Sequence, residues 1–83
     1  MNTAETVNRV LDAHGKLRVP AATLAAGDDL YSAGMTSHAS VNVMLGLEDA
    51  FDIEFPDELL TKSTFCTIAS ITSALGSLME VAA

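Results

Sequence analysis

Ser32, Thr36, Ser37 and Ser40 crowd hydroxyl groups around one loop-to-helix junction, and His38 sits among them. A serine beside an imidazole suggests the nucleophile and base of a hydrolase. Successive side chains on a helix, however, point about 100° apart, and a triad is assembled from residues that are neighbours in space rather than in sequence. His14 is the only other histidine, and the chain has no Gly-x-Ser-x-Gly elbow, Walker loop or dinucleotide fingerprint. That leaves Ser37 by itself. At a helix start the unpaired N–H groups and the positive end of the helix dipole favour a phosphate, so a phosphate ester on Ser37 would be well placed. The same position suits a plain N-cap, and these residues alone leave both roles open.

The acids Glu48, Asp49, Asp52, Glu54, Asp57 and Glu58 invite a calcium reading. An EF-hand loop needs oxygen ligands at its first, third and fifth places, glycine at the sixth and glutamate at the twelfth. Counted from Asp52, Pro56 falls on the fifth place, Asp57 on the sixth and Ser63 on the twelfth. The loop fails, and these acids read as a solvated face able to steer a basic partner. Cys66 lies between Phe65 and Thr67, with Lys62 the nearest positive charge, and reads as a small, buried and inert apolar residue.

The elements that must position Ser37 follow from apolar spacing. Thr3–His14 reads as a first helix with Val7, Val10 and Leu11 on one stripe. Asn2 or Thr3 would cap it, and Gly15 offers a left-handed stop. Residues 16–35 form a long connection punctuated by Pro20, Gly27 and Gly34, with Leu17, Val19, Leu24, Leu30, Tyr31 and Met35 available to anchor it. A second helix over residues 37–50 places Val43, Leu47 and Phe51 on one face with Met44 and Ala50 beside them, while Val41 and Leu45 make a second stripe toward solvent. Pro56 then breaks the helix by pushing Phe55 out of the helical region. A short helix over residues 57–60 would turn Leu59 and Leu60 inward. Thr67 caps a last helix striped by Ile68, Ile71, Leu75, Leu78 and Met79, which Gly76 weakens. Nothing alternates with a period of two. The expected fold is all-α: a small antiparallel four-helix bundle of three main helices, one short helix and a long first loop, forming a single domain over residues 1–83.

Composition narrows the partners. Four Lys and Arg against eleven Asp and Glu give a net charge of −7, which disfavours nucleic acid and anionic lipid. The single cysteine forms no internal disulfide. Residues 1–7 lack the basic-then-apolar pattern of a leader, and no apolar run reaches the about 18 residues of a membrane span. The expectation is a soluble cytoplasmic protein.

The run Gly34-Met35-Thr36-Ser37, followed by Val41, Leu45 and Leu47-Glu48-Asp49-Ala50-Phe51-Asp52-Ile53-Glu54-Phe55-Pro56-Asp57, resembles the central signature of acyl carrier proteins over about residues 30–71. That resemblance implies a four-helix bundle whose Ser37 takes 4'-phosphopantetheine from coenzyme A as a phosphodiester. Thr36-Ser37-His38 stands where the family usually has Asp-Ser-Leu, and Asn42 where many fatty-acid carriers have glutamate. Ala39-Ser40-Val41, the run Met44 to Asp57, Leu59-Leu60 and Phe65 are similar to a smaller group, the bacterial carriers charged with an amino acid by ligases like the catalytic core of seryl-tRNA synthetase. What this implies is a non-catalytic carrier holding an amino acid, glycine or alanine, as a thioester on the arm. Its partners would be an amino acid:[carrier protein] ligase and a phosphopantetheinyl transferase. Docking would involve Thr36, His38, Val41, Asn42, Leu45, Glu48 and Asp49. A monomer is expected. The alternatives are an acyl or peptidyl carrier for fatty-acid, polyketide or nonribosomal-peptide synthesis, and an unmodified helical interaction domain.

Overall fold

Three amphipathic segments carry the core of the computed structural model, which describes residues 3–82 and the side chains of residues 3–79. They are α1 (Thr3–His14), α2 (Ser37–Phe51) and α3 (Ile68–Ala82). No strand occurs among the described residues. The chain belongs to the all-α class, and α1 packs against both α2 and α3. The stripe residues Val7 and Leu11 of α1, Ala39, Val43 and Leu47 of α2, and Ile71 and Leu75 of α3 are buried together. The resulting radius of gyration is 11.5 Å, close to the about 12 Å of a compact domain of this length.

Residues 15–36 are tied down as the sequence requires, with Ala21, Leu30 and Met35 buried in the same core. Polar ties hold the segment at both ends. The Asp12 carboxylate accepts from the Ala21 N–H at 2.8 Å, and the Arg18 N–H donates to the Ala33 carbonyl at 2.9 Å. The Leu30 N–H reaches the Cys66 carbonyl at 2.7 Å, and the Ala69 N–H reaches the Ala26 carbonyl at 2.9 Å. These last two bonds fasten the loop to the start of α3. Gly34 completes the turn into α2 at φ 123°. A Cβ there would stand 3.2 Å from both the Lys16 carbonyl oxygen and Arg18 Cγ, so both conformation and space call for glycine.

Several local expectations are corrected. α1 stops with Lys16, not Gly15, in the left-handed region, at φ 55°. Gly15 is needed for space, because a Cβ there would lie 2.8 Å from the Leu11 carbonyl oxygen. Val19 does not anchor the loop and is 42% exposed. Ala50 is exposed rather than beside the core. α2 ends before Pro56 can act, since Asp52 adopts φ 54°, ψ 51° and donates its N–H to the Glu48 carbonyl. Aspartate tolerates this conformation better than most residues. The short helix expected over residues 57–60 is a single 3₁₀ turn, Asp57–Leu59, and a matching turn, Ala21–Thr23, interrupts the first loop. A turn this short leaves Leu60 43% exposed. The Asn2 cap of α1 lies outside the described residues.

Phe55 and Phe65 close the core beneath the 57–64 segment, their rings edge-to-face with centroids 5.5 Å apart. Such a pair contributes about 0.5–1.5 kcal/mol beyond its buried area. Thr67 caps α3, its hydroxyl accepting from the Ser70 N–H at 3.0 Å.

Candidate functional site

The loop-to-helix junction separates roles that the sequence left together. Thr36, extended at φ −87°, ψ 167°, is the N-cap of α2, and its hydroxyl accepts from the Ala39 N–H at 3.0 Å. Ser37 is therefore the first residue inside the helix and not its cap. The Ser40 hydroxyl donates to the Ser37 carbonyl at 2.7 Å, and the Ser32 hydroxyl donates to Asp29 at 3.1 Å. Of the hydroxyls gathered here, only that of Ser37 makes no hydrogen bond among the described residues. Ser37 is also exposed.

Its surroundings suit an anion. The first N–H groups of a helix have no intrahelical acceptor, and Thr36 satisfies only that of Ala39. The first turn of α2 holds no acidic side chain to compete for the positive end of the dipole. Thr36 thus performs the capping that an aspartate at this position would, without adding a negative charge beside the serine.

The remaining expected residues spread along α2. His38, Val41, Leu45 and Asp49 are exposed, with Val41 and Leu45 showing 50% and 52% of their surface. Their spacing of three and four places them on one helical face. Asn42 is half-buried beside them. Glu48 is otherwise engaged: its carboxylate accepts from the Phe55 N–H at 2.8 Å, fastening the chain after α2 back onto the helix. A sequence gives no rule for that pairing, because it joins a helical side chain to an irregular backbone across the left-handed turn at Asp52.

Sequence reasoning also missed an open groove beside Ser37, with a volume of about 200 Å³, between α2 and the segment around Lys62. Its walls come from three separate stretches of chain, so no spacing rule reveals it. Away from this site, burial pushes the Cys66 thiol up, and the neighbouring Asp29 carboxylate raises it further. No group of three or more potential metal ligands occurs among the described residues, and none of their helices is long and apolar enough to cross a membrane.

The described residues thus form an all-α domain that presents an uncommitted serine hydroxyl at a helix start. The family model described as a phosphopantetheine attachment site matches residues 13–75, and the chain belongs to that family of carrier domains. Within it, the chain is 44% identical over 75 residues to an aminoacyl carrier protein of Agrobacterium fabrum (strain C58 / ATCC 33970), covering 90% of each chain. Its fold matches a chain of the crystal structure of an engineered Bradyrhizobium japonicum glycine:[carrier protein] ligase complexed with carrier protein from Agrobacterium tumefaciens and ATP. The TM-score is 0.88 at 43% identity, over 92% of this chain and 99% of that one. A solution structure of an Agrobacterium tumefaciens protein matches with TM-score 0.74 at 42% identity, over 94% of each chain.

Proposed function

We propose that Ser37 carries 4'-phosphopantetheine through a phosphodiester on its Oγ, and that the chain holds an amino acid, glycine or alanine, as a thioester on that arm. The observation that carries this reading is the Ser37 hydroxyl, exposed and free of hydrogen bonds among the described residues, while Ser32, Thr36 and Ser40 have theirs committed. The residues present fit the group: one accessible acceptor oxygen, unpaired helix N–H groups for the phosphate, and no carboxylate in the first turn of α2 to repel it.

The chain's own part is to position. Thr36 fixes the first turn, so that Ser37 Oγ faces outward for a phosphopantetheinyl transferase, which supplies the catalysis. When bound, the arm supplies a thiol that an amino acid:[carrier protein] ligase can esterify. Tethering raises the local concentration of cargo wherever the carrier docks. Docking falls to Thr36, His38, Val41, Asn42, Leu45 and Asp49. Two exposed apolar side chains set among polar ones favour brief, charge-steered association. Glu48 contributes its charge to that face while its hydrogen bond holds Phe55. In this reading residues 1–83 form one carrier domain working in the cytoplasm, and the Asp57–Leu59 turn is the short member of an antiparallel four-helix bundle.

The experiment is intact-mass spectrometry in two steps. Coenzyme A and a broad-specificity transferase should add the mass of the arm to the protein. Ligase, ATP and glycine or alanine should then add the amino acid in a form that hydroxylamine releases. Ser37→Ala should remain folded and gain neither mass. Full modification of that variant would move the anchor to another hydroxyl, and a holo-protein that accepts acyl groups but no amino acid would favour an acyl carrier.

A further inference from the structure

Positive charge is scarce in this chain and unevenly placed. Its Lys and Arg residues are Arg9, Lys16, Arg18 and Lys62, and none falls between residues 19 and 61. Two of them, distant in sequence, meet the same turn. The Lys62 ammonium rests 4.9 Å from the centre of the Tyr31 ring. The Arg18 N–H donates to the Ala33 carbonyl at 2.9 Å, and its guanidinium reaches the Ser32 carbonyl only at 3.5 Å. Neither side chain has a carboxylate partner among the described residues. The acid of this turn, Asp29, is engaged elsewhere: its carboxylate accepts from the Tyr31 N–H at 2.9 Å and from the Ser32 hydroxyl at 3.1 Å.

The turn, residues 31–34, leads directly into the attachment site. Gly34 stands three residues before Ser37, which bounds their separation at about 11 Å. Lys62 shares a groove with Ser37, Ser40, Val41 and Met44, all in the first half of α2. Both cations therefore stand at the N-terminal approach to α2, whose first turn holds no acidic side chain. Exposed carboxylates gather at the other end, Asp49 in the last turn and Asp52 just past it. A helix of 15 residues is about 22 Å long. That is more than twice the Debye length of about 8 Å at physiological ionic strength, so the two ends act as separate poles.

Resting on the Ser37 reading, we infer that Arg18 and Lys62 are the basic pole of a two-signed docking surface, and that the amino acid:[carrier protein] ligase meets this pole with carboxylates of its own. A small anion clasped by both cations does not fit. Arg18 is absent from the lining of the Lys62 groove, and each cation touches a different part of the turn. An extended protein surface meets both at once. Docking then breaks no ion pair, only a weak exposed cation–π contact and a long hydrogen bond. Opposite charges at the two ends of α2 also fix the direction in which a partner lies along it, because the reversed direction sets like charges against each other. The productive direction brings the ligase's activated carboxyl group to the arm on Ser37.

The test measures charging of the holo protein by a glycine:[carrier protein] ligase with ATP and glycine, after the arm's addition is verified by mass. Arg18→Gln and Lys62→Gln should each lower kcat/KM about 1.4- to 5-fold, the range of an exposed charge pair, through KM and with kcat kept. Arg18→Glu and Lys62→Glu should lower it further, and added salt should narrow the gap between wild type and each variant. Arg9→Gln removes a charge from α1 and should leave charging unchanged. Glutamine keeps the Cγ that arginine packs beside Gly34, and circular dichroism verifies the fold of every variant. Unchanged kcat/KM in both glutamate variants, or an equal loss in Arg9→Gln, would overturn the basic pole. A loss confined to arm addition by the transferase would move the pole to that enzyme and overturn the ligase assignment. Wild type that gains no arm, or gains it and takes no amino acid, would overturn the proposed function itself before any variant is compared.

Discussion

Glu48 offers the sharpest contrast between a residue that holds the fold and one that meets a partner. Its carboxylate accepts from the Phe55 N–H at 2.8 Å, and Phe55 is only 4% exposed, so no solvent replaces the acceptor easily. Glu48→Ala removes a hydrogen bond to a charged group, about 1.5–3 kcal/mol, and leaves a buried donor unsatisfied. An acid in the last turns of a helix opposes the dipole, so its removal returns about 0.3–1 kcal/mol. The net cost is about 1–2 kcal/mol, which for a domain of this size lowers Tm by roughly 5–15 °C. Glu48→Gln keeps an oxygen acceptor and should cost less than half as much. Thermal and urea unfolding followed by circular dichroism measure both, with an unchanged urea m-value marking a pure stability effect. If Glu48→Ala melts with the wild type while charging by the ligase falls, the residue serves docking and its bond to Phe55 is idle. If Glu48→Gln is as damaging as Glu48→Ala, the acceptor argument fails.

Two glycines inside helices should behave oppositely when replaced by alanine. Gly76 has nothing within 4 Å of its added Cβ, so Gly76→Ala should gain about 0.5–1 kcal/mol. At Gly46 the Cβ would stand 2.9 Å from both Val10 Cγ1 and His14 Cδ2, so overpacking of about 1–3 kcal/mol should outweigh the propensity gain and lower Tm. Thr36→Ala removes the cap of α2 and should cost about 1 kcal/mol in urea unfolding, with Thr36→Asp restoring it; equal stability of all three proteins would deny Thr36 the capping role. Because burial and Asp29 raise the Cys66 thiol, its rate of alkylation should rise with pH later than that of a free cysteine. Asp29→Asn should move the profile down, and a profile at or below the free-cysteine one would contradict the assignment.

The three helices were legible because each repeats its apolar residues at helical spacing, and Ile68, Ile71 and Leu75 fall where that spacing puts them. Helix ends were less legible. Gly15 looked like a left-handed stop because glycine so often is one, yet crowding by the Leu11 carbonyl, not φ, demands it. Pro56 looked like the breaker of α2, but Asp52 had already turned the chain. At the junction, Thr36 and Ser37 are both competent caps, and only the backbone geometry decides between them. The groove, the Lys62–Tyr31 contact and the Glu48–Phe55 bond join residues from separate stretches, which local patterns do not encode.

Fragmentation of the coenzyme A-treated protein, mapping the added mass residue by residue, tests Ser37 as the anchor most directly. The whole addition should localise to Ser37, with none on Ser32, Thr36 or Ser40, whose hydroxyls are already committed to Asp29, Ala39 and the Ser37 carbonyl. Addition at any of those three, or a protein left unmodified under conditions that modify other carrier domains, would contradict it.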